Sequence, residues 1–103
     1  MKRRTLIYKT DSGAEPFNEY IESLRDRRAV SKIMARVNRA KLGNLGDYRS
    51  VGAGVIELRI PFGPGYRVYA GLQGEDLIVL LCAGDKSSQD NDVSNAINYW
   101  EDL

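Results

Sequence analysis

The hydrophobic positions follow two different periods, and the change between them organises the chain. Arg4 to Lys9 reads as a short first strand, with basic residues that discourage pairing along a free edge. Asp11-Ser12-Gly13 is a turn, and Pro16 suits the first turn of a helix, where its missing N–H leaves no bond unmade. Phe17, Tyr20, Ile21 and Leu24 then fall at i, i+3, i+4 and i+7, one face of a short helix. Asp26 is a good cap for a second helix, in which Val30, Ile33, Met34 and Val37 repeat the spacing. Arg28, Lys32, Arg36 and Arg39 lie largely on its other side, and the helix should stop near Gly43-Asn44. The spacing thus predicts a short helical hairpin with a basic outer face.

Residues 43 to 54 hold four glycines in twelve positions and read as a loop. After them the period drops to two. Ile56, Leu58 and Ile60 share one face of a strand over Val55 to Ile60, and Val55, Glu57 and Arg59 share the other. Pro61 to Gly65 is a turn of hairpin length. In the next strand, Tyr66 to Leu72, Tyr66, Val68 and Ala70 alternate with Arg67 and Tyr69. Gln73-Gly74-Glu75 turns the chain again, and Leu77 to Cys82 is apolar enough for a strand buried on both faces. Ser87 or Ser88 is the expected cap of a last helix carrying Val93, Ala96, Ile97 and Trp100.

The order is strand, helix, helix, three strands, helix, which predicts an α+β fold. A small antiparallel sheet packs against an N-terminal helical hairpin, with a C-terminal helix, in one domain over 1–103. The hairpin covers one sheet face. The other is expected to be partly free and to present Glu57, Arg59, Arg67 and Tyr69 together, and charged residues at strand centres make that face a candidate site.

Composition narrows the classes. Apolar residues form 43% of the 103 and charged residues 28%, which excludes a disordered chain. No apolar run is long enough to span a bilayer, and charge returns at Lys9 and Asp11 too soon for a signal peptide, so a cytoplasmic protein without membrane contact is expected. The lone Cys82 reads as a small buried hydrophobe. The net charge of +1 hides a segregation. Residues 25–41 carry seven cations against Asp26 alone, and residues 85–103 carry Asp85, Asp90, Asp92, Glu101 and Asp102 against Lys86 alone. Each block is either a solvated helix face or a surface for a partner of opposite charge. With no histidine, no Cys/His cluster, no paired carboxylates and no Gly-Lys-Ser/Thr loop, neither a metal site nor a cofactor is expected.

The segment Glu57-Leu58-Arg59-Ile60-Pro61-Phe62-Gly63-Pro64-Gly65-Tyr66-Arg67-Val68-Tyr69 resembles the signature of the RelE/HigB/ParE toxin superfamily. Leu80 to Gln89, with its Gly84-Asp85-Lys86-Ser87 core, is similar to the phage-derived branch known as addiction module killer proteins. The resemblance runs along essentially the whole chain. It implies the toxin of a type II toxin–antitoxin pair with a cognate antitoxin as partner. It further implies either a metal-independent endoribonuclease cutting messenger RNA on the ribosome, or a toxin that acts on DNA gyrase or another protein.

For the nuclease, the ribose 2′-OH attacks the adjacent phosphate, and the site must hold an extra-charged phosphorane. Arginine suits that task, and Arg67 matches the tyrosine–arginine arginine implicated in catalysis in the ribonuclease branch. Arg59 shares its face and is a second phosphate ligand or a scaffold ion pair. Lys86 stands where family enzymes often place a catalytic cation. Tyr69 is a candidate for stacking on a base, with packing as the plain alternative. Arg36, Arg39 and Lys32 of the basic helix are candidates for following RNA phosphates, or for meeting an acidic partner. Gln89 and Asp92 either orient Lys86 or cap the last helix. Glu57, between arginines, reads as an ion-pair member more than a general base. The lysine-rich strand of RelE-like enzymes is matched here by Val55 and Glu57.

Overall fold

In a computed structural model describing residues 2–103, the helices begin where the sequence supplies starts. Pro16 opens α1 (Pro16–Ser23). The Asp26 carboxylate accepts from the Arg28 amide at 2.9 Å and starts α2 (Arg27–Lys41). Just past its end Gly43 sits at φ +99°, the left-handed position that glycine takes without cost. Five strands follow the order β1-β5-β4-β3-β2: β1 (Arg4–Ile7), β2 (Tyr48–Gly52), β3 (Val55–Ile60), β4 (Tyr66–Gln73) and β5 (Leu77–Asp85). A 3-10 turn (Lys86–Ser88) leads into α3 (Gln89–Glu101).

The sheet is mixed, not wholly antiparallel as expected. β2 to β5 form an antiparallel meander, while β1 runs parallel to β5, Arg4 beside Leu77 through Ile7 beside Leu80. Only short turns force neighbouring strands to reverse. The path from β1 to β5 runs through two helices and three strands, so no turn dictates their relative direction.

The glycine-rich stretch expected as a loop contains β2. This strand lies at the sheet edge, is mostly exposed, and its register shifts between Ser50 and Gly52. Too few of its side chains are buried to leave an apolar alternation in the sequence.

Both sheet faces carry helices, the second only in part. On one, Ile56, Leu58, Ile60, Tyr66, Val68 and Ala70 pack beneath Phe17, Ala29, Ile33, Val37 and Ala40 of the helical hairpin. On the other, expected to be partly free, Val55, Tyr69, Val79, Leu81 and Cys82 pack beneath Ala96, Val93, Ile97 and Trp100 of α3. Two glycines let α3 approach. A Cβ on Gly71 would stand 2.2 Å from the Trp100 ring, and one on Gly84 would stand 1.9 Å from the Asp92 carboxylate. An extra residue in β5 completes the seat. Ala70 pairs with Leu80 but Tyr69 pairs with Cys82, so Leu81 and Cys82 both join the α3 side and Gly84 comes opposite Arg67.

α2 buries a stripe centred on Ala29, Ile33, Val37 and Ala40, with Val30 and Met34 half-buried. Ala29 and Ala40 turn the helix from the orientation that Val30 and Met34 suggested. That rotation brings in Arg36, expected on the outer face and here only 3% exposed. Its Nη2 donates to the carbonyls of Leu45 and of Asp47 (2.8 Å), and its Nε to that of Arg59 (3.2 Å). Arg36 thereby fixes the segment that leads into β2. Ser88 stands at the N-cap of α3, as expected, but its hydroxyl does not bond the helix amides. Asp85 accepts from the Ser87 amide at 2.8 Å, and Ser88, which makes no side-chain cap bond for α3, donates to Asp92 at 2.6 Å. Among the described residues no helix is long and apolar enough to cross a membrane.

Candidate functional site

Strand register builds the site. Arg49 of β2 lies beside Glu57 of β3, and Glu57 lies beside Tyr69 of β4; one rung on, Arg59 faces Arg67. Side chains on one strand face repeat every second residue, so Glu57, Arg59, Arg67 and Tyr69 share the α3 side, as the alternation predicted. Arg49, placed in a loop by the sequence reading, joins them.

Glu57 is the hub and is fully buried. Its Oε1 accepts from Arg49 Nε at 3.0 Å and from Arg59 Nε at 3.4 Å, and stands 3.9 Å from Arg67 Nε. Its Oε2 accepts from the Tyr69 hydroxyl and from Gln89 Nε2, both at 3.0 Å. Burial, the largest influence, pushes the Glu57 carboxyl up, but the hydrogen bonds from Arg49, Gln89 and Tyr69 and the Arg49 charge outweigh it. The group is held below its ordinary value and stays ionised. With both oxygens engaged it is an anchor, not a proton acceptor.

The three guanidiniums differ in freedom. Arg49 and Arg59 have side chains 48% and 39% exposed, and Arg59 also reaches Asp47 at 3.6 Å on the rim. The Arg67 side chain is 13% exposed, and its Nε and Nη1 are buried without a hydrogen-bond partner. A buried unpaired donor costs about 1–3 kcal/mol and more when charged. Arg67 therefore carries hydrogen-bonding capacity that the protein leaves unused.

The other sequence candidates fall into three groups. Tyr69 is fully buried; its ring has no free face for a base, which corrects the stacking role, and burial together with Glu57 raises its hydroxyl so that it remains a donor. Gln89 reaches Glu57 and Asp92 reaches Ser88, so their hydrogen bonds do not go to Lys86. Lys86 is exposed on the 3-10 turn before Gln89, beside a shallow recess of about 320 Å³ formed by residues 86–91. Arg36, Arg39 and Lys32 lie on the hairpin side, with Arg36 committed to carbonyls and the other two exposed. The Cys82 thiol, donating toward the Asp92 carbonyl at 3.7 Å, is pushed up to about 12 by burial and then by Asp92, which makes it inert at neutral pH.

Arg49 is the residue that sequence reasoning missed. It shares parity with Val51, which packs against the α3-side core, and that pairing was the available signal. Arg49 also borders an open groove of about 510 Å³ between β2 and α3, walled by Val51 and Val93 and edged by Ser50, Asp90 and Ser94. The arrangement suits an anion seated on the arginines with a larger group lying along the groove. Among the described residues no group of His, Cys, Asp or Glu is placed to hold a metal ion.

No family model matches the chain. A protein of Haemophilus influenzae (strain ATCC 51907 / DSM 11121 / KW20 / Rd), called "Uncharacterized protein", is 49% identical over 80 residues, 78% of this chain and 81% of that one. At that identity and coverage, the chain belongs to the same family as this Haemophilus influenzae protein.

Proposed function

We propose that the protein is a toxin of the RelE/HigB/ParE type, partnered by a cognate antitoxin, and that it cuts messenger RNA on the ribosome. The reading rests on the resemblance of Glu57–Tyr69 and Leu80–Gln89 to that superfamily. The observation that supports a phosphate-directed chemistry is Arg67, an inward guanidinium with two buried, unpartnered nitrogens beside two more arginines.

In this reading the 2′-OH gives its proton to water and attacks the adjacent 3′-phosphate; the bond from phosphorus to the 5′-oxygen breaks, that oxygen takes a proton from the Lys86 ammonium, and a 2′,3′-cyclic phosphate remains. Arg67 stabilises the phosphorane, because charge that develops there meets donors already stripped of water. Arg59 and Arg49 hold the flanking backbone as bidentate phosphate ligands. Lys86, from the turn preceding Gln89, serves the leaving oxygen. Glu57 fixes the three guanidiniums in place, and Tyr69 and Gln89 fix Glu57.

The test is brief expression in a bacterial host, with messenger RNA 5′ ends mapped by primer extension beside Arg67→Ala. New ends within translated frames, dependent on active ribosomes and lost in Arg67→Ala, are expected. Growth arrest with intact messages would overturn the nuclease reading in favour of a toxin acting on gyrase or another protein.

A further inference from the structure

On the sheet face opposite the arginine cluster, α2 and the β3–β4 turn enclose a pocket of about 320 Å³. Ile60, Pro61 and Phe62 form its floor, Lys32 and Arg39 its rim, and Arg36 its back. Three observations set it apart from a solvated helix face. Arg36 is 3% exposed, and its Nη1 has no hydrogen-bond partner, although its other nitrogens are satisfied by carbonyls. Lys32 and Arg39 form no ion pair with a carboxylate among the described residues. The Phe62 ring already carries the Arg28 guanidinium at 5.7 Å and the Lys32 ammonium at 5.8 Å, which holds cations around an apolar floor.

We propose that this pocket docks a segment of a partner protein in which one apolar side chain is flanked by carboxylates. The apolar side chain would lie on Ile60, Pro61 and Phe62, and the carboxylates would take Lys32 and Arg39 at the rim. A nucleic-acid backbone would use the rim cations but has no group for the floor. A carboxylate beside an aliphatic side chain uses both, and charge-assisted bonds at a partly dry site are the stronger kind. The pocket and the arginine cluster lie on different faces, so both can be filled at once.

The experiment is a titration of the isotope-labelled full chain, followed by amide shifts. The probe is a short end-capped peptide with one leucine between glutamates. Expected are shifts gathered on Ala35, Phe62 and Arg39, and binding weakened at least about tenfold by Lys32→Glu with Arg39→Glu. Ala35→Trp, at an exposed position lining the same pocket, fills the space while leaving both cations, and should weaken binding as much. Equal binding of a peptide with alanine for leucine overturns the proposal, because charge alone would then explain the contact. So does displacement of the peptide by a short RNA oligonucleotide, a shift pattern centred on Arg49, Arg59 and Arg67, or no binding at millimolar peptide.

Discussion

Among the described residues each face of the sheet buries one charged side chain, Arg36 beneath the helical hairpin and Glu57 beneath the edge of α3, at 3% and 0% exposure. Arg36 has no counter-charge in contact. It is held by backbone carbonyls, which supply partial negative charge without titrating and belong to the scaffold. Glu57 is surrounded by full charges, two of them on half-exposed arginines that can move. The first arrangement makes structure alone. The second makes structure while leaving cationic groups at the surface, where an incoming anion can compete for them. Burial of a charge is thus not the mark of a site; a surplus of mobile partners is.

Substitutions sharpen the contrast. Glu57→Gln keeps shape but leaves three arginines without their shared carboxylate. The expected cost in urea unfolding is about 3 kcal/mol, the lower end for breaking a buried pair, because exposed Arg49 and Arg59 can hydrate. Arg36→Met should cost less, about 2 kcal/mol, since the carbonyls of Leu45 and Asp47 lie on an exposed segment and can bond water instead. Its effect should be local, read as faster hydrogen exchange across Tyr48–Gly52 with α3 unchanged. The smallest effect is pH dependence. The folded carboxyl of Glu57 lies below its unfolded value, so its contribution is present above the ordinary carboxylate range and is lost as pH falls through the folded value. Unfolding midpoints measured at descending pH should fall more steeply in the parent than in Glu57→Gln. Equal slopes would show that other carboxylates, such as Asp26 and Asp85, dominate acid sensitivity.

The sequence disclosed the parts governed by strict periods. The alternation in Val55–Ile60 and Tyr66–Tyr69 placed Glu57, Arg59, Arg67 and Tyr69 on one face, and the register realises it. It could not disclose what α3 covers, because Val93, Ala96, Ile97 and Trp100 show that a helix has an apolar face, not where it lands. The alternation therefore leaves Tyr69 between stacking and packing, and α3 decides for packing. β2 was hidden by the glycines around it and by its exposure, and Arg49 with it. Arg36 was misplaced because alanines at 29 and 40, weak as hydrophobic signals, decide which way α2 turns.

The hold that Arg36 exerts has a further consequence for how this chain can diverge. A guanidinium bonded to carbonyls is indifferent to the side chains those carbonyls belong to. As far as this hold is concerned, residues 45 and 47 can change identity while the path of the backbone into β2 stays the same. The exception is Gly46, at φ +59°, where a Cβ would stand 3.1 Å from the Arg36 guanidinium. The approach to the candidate site is in this sense a fixed route with interchangeable surfacing: one arginine and one glycine set its course, and the side chains along it are open to change.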